Sequence, residues 1–135
     1  HSNARGAALN LKKAVMETKV PTHIFVVEND KIFVRMLDYV FSKSIQYRFI
    51  DHSSGESALK SLHLNPEVIV LDYSLPGMNG FETLQEIKEQ HPHAYVLSMI
   101  SKQDGRLPAE FLNAGAGDCI VKDGTEVDQV VERLE

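Results

Sequence analysis

The sequence predicts a single α/β domain: a doubly wound, five-stranded parallel sheet with helices on both faces. Short apolar runs recur five times, and each is followed by a segment with apolar residues at helical spacing. Near-continuous apolar strands are typical of a parallel sheet that helices cover on both sides. Because crossovers in such sheets are right-handed and connections are short, only a few doubly wound topologies remain.

The elements follow one another in regular alternation. In chain order the predicted strands are residues 23–27, 47–50, 68–72, 95–100 and 119–121. Helices are predicted where apolar residues recur on one face, over residues 32–41, 58–62, 81–87, 105–114 and 127–134.

Local signals delimit these elements. Ser53 or Ser54 is the expected N-cap of the second helix, because a hydroxyl there can accept from the first free N–H groups. Pro66 follows the end of that helix, and Gly80 opens the third. Pro92 lies in the turn between the third helix and the fourth strand.

Composition limits the function classes open to the chain. Its 135 residues have a net charge of −5 and no cluster of Lys and Arg, which argues against direct nucleic-acid binding. No apolar stretch reaches the roughly 18 residues of a membrane helix, so no membrane contact is expected. The single Cys119 rules out an internal disulfide and fits a reducing, cytoplasmic compartment.

Two regions are distinguished along the chain. Residues 1–21 are interpreted as a leader: residues 1–6 resemble an expression remnant, and an N-terminal extension follows them. Residues 22–135 form the folded domain.

Polar side chains follow three of the predicted strands. Glu28, Asn29 and Asp30 come after the first strand, Asp72 ends the third, and Lys122 comes after the fifth. The carboxyl ends of parallel strands share one edge, so these side chains are expected to converge. Carboxylates gathered in this way suit Mg²⁺, a lysine suits a phosphoryl group, and a carboxylate can act as a nucleophile toward phosphorus.

These residues, in this order, resemble the receiver domain of bacterial two-component response regulators. The resemblance rests on residues 28–30, on the run 71–80 with its D-x-x-x-P-G-x-x-G pattern, on residues 114–117 and on Val121-Lys122. It implies a flavodoxin-like fold with strand order 2-1-3-4-5. It also implies that Asp72 accepts a phosphoryl group from a histidine kinase or phosphotransfer protein, and that Lys122 pairs with that group.

The resemblance further implies a Mg²⁺ site and an output surface. Glu28 and Asn29 match the acidic pair of the family, Asp72 is the shared ligand, and the backbone carbonyl of Ser74 matches the third protein ligand. Asp30 is a further candidate, directly or through water. An output domain or partner protein is expected on the face of the fourth helix, fifth strand and fifth helix, and a homodimer is left open.

The sequence departs from the family pattern at three positions. Asn29 stands where most receivers have aspartate, so Mg²⁺ binding is expected to weaken for lack of a charge. Ile100 falls, without gaps, where receivers have a Thr or Ser whose hydroxyl bonds the phosphoryl group; Ser98 or Ser101 is left to supply it. Cys119 occupies the usually aromatic position of the fifth strand.

Two other readings stay open at this stage. Asn29 and Ile100 favour a degenerate pseudo-receiver, an interaction module that works without phosphorylation. A small phosphatase is disfavoured because Ser74 stands where an Asp-nucleophile phosphatase needs a second carboxylate. The main interpretation is therefore a signalling switch, which at most promotes its own phosphorylation and dephosphorylation.

Overall fold

The computed structural model of the chain describes residues 21–44 and 46–134. The predicted leader, residues 1–21, therefore lies outside the described residues except for Pro21. The strands are β1 (Thr22–Val27), β2 (Tyr47–His52), β3 (Val68–Asp72), β4 (Tyr95–Ile100) and β5 (Asp118–Val121). The α-helices are α1 (Lys31–Phe41), α2 (Gly55–Lys60), α3 (Gly80–Gln90), α4 (Pro108–Asn113) and α5 (Glu126–Leu134), with 3₁₀ turns at Leu62–Leu64 and Lys102–Asp104.

The sheet has the predicted topology. All pairings are parallel, and the strand order is β2-β1-β3-β4-β5. The order reverses between β1 and β3, where a doubly wound sheet opens a crevice outside the carboxyl ends of its strands. Val27 pairs with Leu71, and Asp72 pairs with Met99, so the ends of three central strands lie at the same level.

Helices cover both faces, as predicted. On one face α2, α3 and α4 pack over buried side chains of the sheet, and on the other α1 and α5 do so. Alternation along the strands separates the two sets: Phe25 and Ile69 belong to the first core, Ile24 and Val70 to the second. The sheet is therefore the rigid centre from which the polar edge projects.

The observed bounds of several elements differ from the predicted ones, and β2 and α4 are two examples. β2 extends to His52 because every residue from Tyr47 onward pairs with β1. The helix predicted over residues 105–114 is wrong at its start. Gly105 adopts φ +71°, which ends the preceding 3₁₀ turn, and Pro108 occupies the first turn of the shorter α4.

Helix α1 is amphipathic, but its apolar residues do not all face the core. Phe33, Leu37 and Phe41 are buried, whereas Ile32 and Met36 are 71% and 50% exposed. A helix lying on one sheet face can bury only one stripe. The other apolar residues of the repeat consequently lie in solvent.

Capping side chains fix where the helices begin. The side chain of Asp30 caps α1, and that of Ser54, one of the two predicted serines, caps α2. Asn79 and Glu82 form a reciprocal capping box at the start of α3. These caps set the path of the chain just beyond the carboxyl ends of β1, β2 and β3.

Gly80 lets α3 begin directly against the end of β3. A Cβ at this position would overlap the carbonyl oxygen of Asp72 and come within 2.6 Å of the Cα of Tyr73. Both neighbours are backbone atoms that the sheet holds in place. Glycine is thus required at position 80, because the backbone of Asp72 and Tyr73 leaves no room for a Cβ atom.

Gly80→Ala is expected to lower the free energy of unfolding by roughly 3 kcal/mol, because the added methyl must push backbone atoms apart. Urea denaturation measures this change. Gly105→Ala is the control: nothing lies within 4 Å of its added methyl, so only its positive φ costs about 1 kcal/mol. An equal or smaller loss at Gly80 would contradict the close-approach argument.

Candidate functional site

Three of the predicted side chains meet at the carboxyl edge of the sheet. Asp72 is 2% exposed at the end of β3, and the Nζ of Lys122 lies 2.7 Å from its Oδ1. The same Nζ lies 3.8 Å from the Oε1 of Glu28. The structure thus brings together a buried carboxylate, a second buried carboxyl group and one ammonium group.

Backbone hydrogen bonds continue the sheet ladder into this cluster. The Glu28 N–H donates to the His52 carbonyl at 3.0 Å, and the Lys122 N–H donates to the Ile100 carbonyl at 2.7 Å. Immediately after Asp72, the Tyr73 N–H donates to the Met99 carbonyl at 2.9 Å. The backbones of the polar residues are therefore fixed by the neighbouring strand.

Glu28 has an unusual protonation behaviour. Burial, followed by the neighbouring Asp72 carboxylate, raises the pKa of Glu28 to about 7. The Asp30 N–H and Lys122 oppose this rise without cancelling it. Glu28 Oε2 also accepts hydrogen bonds from the N–H groups of Asn29 at 2.8 Å and Asp30 at 3.1 Å. Glu28 therefore resists ionisation beside the Asp72 carboxylate, and such a pair of carboxyl groups is suited to added positive charge.

Lys122 keeps its charge in this environment. Burial alone lowers the pKa of Lys122, but contact with Asp72 and the nearby Glu28 and Asp104 carboxylates outweighs it, and the net direction is upward. The ammonium nitrogen lies 2.7 Å from Oδ1 of Asp72, so the two groups form a close ion pair. That oxygen keeps acceptor capacity although it is buried.

The remaining predicted ligands lie nearby in different roles. Oδ1 of Asp30 accepts from the N–H groups of Ile32 at 3.0 Å and Phe33 at 3.3 Å, so this carboxylate serves as the helix cap. Asn29 is exposed between Glu28 and that cap. A cavity of about 400 Å³ borders Glu28 and Asn29 on the side of α1 and β2.

The donor set fits a hard divalent cation. It offers two buried carboxyl groups, and carboxylate oxygens are ligands that Mg²⁺ takes. Over residues 21–44 and 46–134, no three His, Cys, Asp or Glu side chains converge as a ligand group. A cation here would therefore depend on two carboxylates and on neutral oxygens, for which the Asn29 amide and Ser74 carbonyl are the candidates.

The residues considered for the hydroxyl switch lie along β4 and its end. Ile100 is 2% exposed and packs in the core under α2, α3 and α4. Ser98 pairs with Leu71 rather than Asp72, and its buried Oγ has no hydrogen-bond partner. Ser101 follows directly at the strand end, where its N–H donates to Asp104 Oδ2 at 2.7 Å.

Cys119 borders the same core. It pairs with Ser98 across β4 and β5 and is partly buried. Burial, followed by the nearby Asp118 carboxylate, raises the pKa of the Cys119 thiol to about 11. The thiol therefore stays protonated at neutral pH and behaves as a small apolar side chain.

Sequence reasoning missed Asp104. Its Oδ1 accepts from the Ser74 hydroxyl at 2.9 Å, while Oδ2 accepts from the Ser101 N–H. A serine followed three residues later by an acid is a common local capping signal and would have identified half of this contact. Nothing in the sequence indicates the other half, because Ser74 lies thirty residues away.

Comparison with known proteins identifies the family. The family model for the response regulator receiver domain matches residues 24–135. The chain therefore belongs to the receiver-domain family, the signalling switches of two-component systems. None of the helices in the described part of the chain is long and apolar enough to cross a membrane.

Curated relatives share this domain within longer chains. The two-component response regulator ARR7 of Arabidopsis thaliana is 34% identical over 101 residues, covering 70% of this chain and 48% of its own. A protein-glutamate methylesterase/protein-glutamine glutaminase of Colwellia psychrerythraea is 31% identical over 107 residues, covering 77% of this chain and 28% of its own. This chain thus spans half or less of the length of these relatives.

Solved structures agree on the fold. A chain of the CheX–CheY–BeF3–Mg²⁺ complex from Borrelia burgdorferi matches with a TM-score of 0.73 and 26% identity, covering 88% of this chain and 90% of that one. The receiver domain of the Francisella response regulator 1452 matches with a TM-score of 0.70 and 21% identity, covering 84% and 93%. At this identity, the similarity to the Francisella domain shows the fold alone.

The raised pKa of Glu28 predicts a pH-dependent stability. The folded pKa lies above the ordinary value of 4.5, so the fold favours the protonated form, and stability is lost as pH rises from about 4.5 through about 7. Without divalent cations, the free energy of unfolding is expected to fall by roughly 2 kcal/mol between pH 5.5 and 8 from this group.

Urea unfolding in EDTA at the two pH values measures the loss. Glu28→Gln is expected to remove most of this contribution, whereas Glu89→Gln, on an exposed helix surface, is expected to leave it unchanged. An undiminished pH dependence in Glu28→Gln would show that other groups produce it.

Proposed function

We propose that the chain is a phosphoacceptor receiver whose Asp72 takes a phosphoryl group from a histidine kinase or phosphotransfer protein. The observation that carries this proposal is the buried Asp72 carboxylate, in contact with Lys122 and beside Glu28. Phosphoryl transfer needs mainly positioning and neutralisation of charge, and this cluster supplies both. The proposal places the protein in the cytoplasm, which the free Cys119 supports.

The proposed transfer is a displacement at phosphorus. An oxygen of Asp72 forms the new O–P bond while the P–N bond of the donor phosphohistidine breaks. The imidazole nitrogen keeps the electron pair and takes a proton from solvent, and Lys122 pairs with the transferred oxygens. In the proposed dephosphorylation, water attacks phosphorus, the O–P bond to Asp72 breaks, and inorganic phosphate leaves.

Mg²⁺ is the proposed cofactor of both steps. Glu28, Asn29, Asp72 and the Ser74 carbonyl would hold it, while the cap role of Asp30 leaves that residue at most a water-mediated contact. When bound, the cation neutralises charge that builds up on the phosphoryl oxygens. Asn29 contributes an oxygen without a formal charge, so its contribution to affinity is smaller than that of an aspartate.

The proposed output surface is the face formed by α4, β5 and α5. Leu107 and Leu112 support it, because they are 65% and 47% exposed around α4 and offer apolar contact area. A partner protein, an output domain or a second copy could use this area. Ser101, at the end of β4, is favoured over Ser98 as the switch hydroxyl, because Ser98 lies in the core and pairs with Leu71 rather than with Asp72.

Wild-type protein incubated with Mg²⁺ and phosphoramidate, whose P–N bond resembles that of phosphohistidine, is expected to gain one phosphoryl group. Intact mass spectrometry measures the gain. Asp72→Asn is expected to gain none, because its amide is not a nucleophile toward phosphorus. Asp51→Asn, which changes an exposed carboxylate elsewhere, is the matched control and is expected to be modified normally.

The same experiment discriminates the rival function. A pseudo-receiver is favoured by the neutral Asn29 and by Ile100 in the core, which leaves position 100 without the usual hydroxyl. Absence of any mass gain in folded wild-type protein would support that interaction module and contradict the phosphoacceptor.

Asn29→Asp is expected to tighten Mg²⁺ binding about tenfold, because it restores a negative charge to the ligand set. Calorimetric titration with MgCl₂ measures the dissociation constant. Asn113→Asp adds the same charge at an exposed position on α4 and is expected to have little effect. Equal affinities in wild type and Asn29→Asp would exclude position 29 from the ligand set.

A further inference from the structure

The carboxylate of Asp104 connects two loops at the carboxyl edge of the sheet. It accepts from the Ser74 hydroxyl in the loop after β3 and from the Ser101 N–H at the end of β4. Asp104 itself closes the 3₁₀ turn Lys102–Asp104, where its N–H donates to the Ser101 carbonyl at 3.1 Å. One side chain therefore satisfies donors on both sides of the site.

Asp104 also shares the charge of the site. Its carboxylate lies close enough to Lys122 for each to shift the pKa of the other, and Lys122 is the residue in contact with Asp72. A phosphoryl group on Asp72 would replace the single carboxylate charge with nearly two negative charges and present three acceptor oxygens beside that ammonium group. It would repel the Asp104 carboxylate and compete for the same donors.

The end of β4 offers few other donors. Ile100 has no polar side-chain atom, and the Ser98 hydroxyl lies in the core on the strand position before Met99, which pairs with Asp72. Among the side chains of residues 98–101, the Ser101 hydroxyl is the donor that remains at the strand end. The Ser101 N–H and the Ser74 hydroxyl are free of the sheet ladder, and Asp104 holds both. This carboxylate therefore occupies two donors that lie in the chain directly after β3 and β4.

We propose that Asp104 is a positioning residue that acts as an internal substitute for the phosphoryl anion, and that phosphorylation of Asp72 displaces it. The inference rests on the proposed function and adds to it the residue whose contacts change on phosphorylation. The Ser101 N–H and Ser74 hydroxyl pass to the phosphoryl oxygens, and the turn Lys102–Asp104 opens. This carboxylate exchange takes the place of a hydroxyl supplied at position 100.

The opened turn connects to α4 through Arg106. The guanidinium group of Arg106 lies 4.5 Å from the centre of the Phe81 ring and bonds the Glu110 carboxylate at 3.0 Å. Gly105, with its positive φ, is the hinge between the turn and this anchored residue. Movement of the turn is thereby transmitted to the start of α4, next to exposed Leu107.

Beryllofluoride with Mg²⁺, which mimics a phosphoryl group on a carboxylate, is the probe. In the full chain, Asp104→Asn is expected to bind it roughly three- to tenfold more tightly than wild type, since no charged competitor has to leave. Asp123→Asn removes a carboxylate from the neighbouring loop, where it bonds Thr125, and is the charge-matched control with wild-type affinity. Titration followed by NMR gives the affinities.

Hydrogen exchange at the Asp104 amide is the second readout. In wild type it is expected to speed up about tenfold on binding of the mimic, because the bond to the Ser101 carbonyl opens. Equal affinities in wild type and Asp104→Asn, with exchange unchanged by the mimic, would overturn the displacement while leaving the phosphoacceptor intact. Weaker binding in Asp104→Asn would overturn it as well, because it would show that the Asp104 carboxylate favours binding of the mimic. Failure of the mimic to bind folded wild type would overturn the proposed function and this inference together.

Discussion

Two buried carboxyl groups share a single ammonium group at the carboxyl edge of the sheet, and the behaviour of the site follows from that shortage of positive charge. Asp72 contacts Lys122 directly, while Glu28 lies farther from it and carries a raised pKa. Burial strengthens the repulsion between the carboxylates, because little water screens it. The raised pKa of Glu28 is one consequence, and added positive charge would relieve the repulsion.

The sheet makes this unfavourable arrangement possible. Glu28 and Lys122 each donate a backbone N–H to an adjacent strand, and Tyr73 does so directly after Asp72. Gly80 allows α3 to begin against the Asp72 carbonyl, so the start of this helix lies next to the end of β3. Two apolar cores anchor these strands from both faces, so the stability of the whole domain holds the like charges together.

Three residues around these carboxyl groups depart from the expected ligand and switch roles. Asp30 serves α1 as a cap, Asn29 carries no charge, and Ile100 places an apolar side chain in the core. Asp104 accepts hydrogen bonds from the Ser74 hydroxyl and the Ser101 N–H. These two donors are therefore already bonded to a side chain of the domain itself.

The sequence by itself determined the fold class, the strand order through the family resemblance, and the identity of the edge residues Glu28, Asp72 and Lys122. These follow from local periodicity and from the rule that parallel strands end together. It misjudged the start of α4, because the effect of Gly105 depends on the surrounding turn. Only the tertiary structure decided the protonation of Glu28 and the Ser74–Asp104 contact, since burial and pairings between residues far apart in the chain exist only after folding.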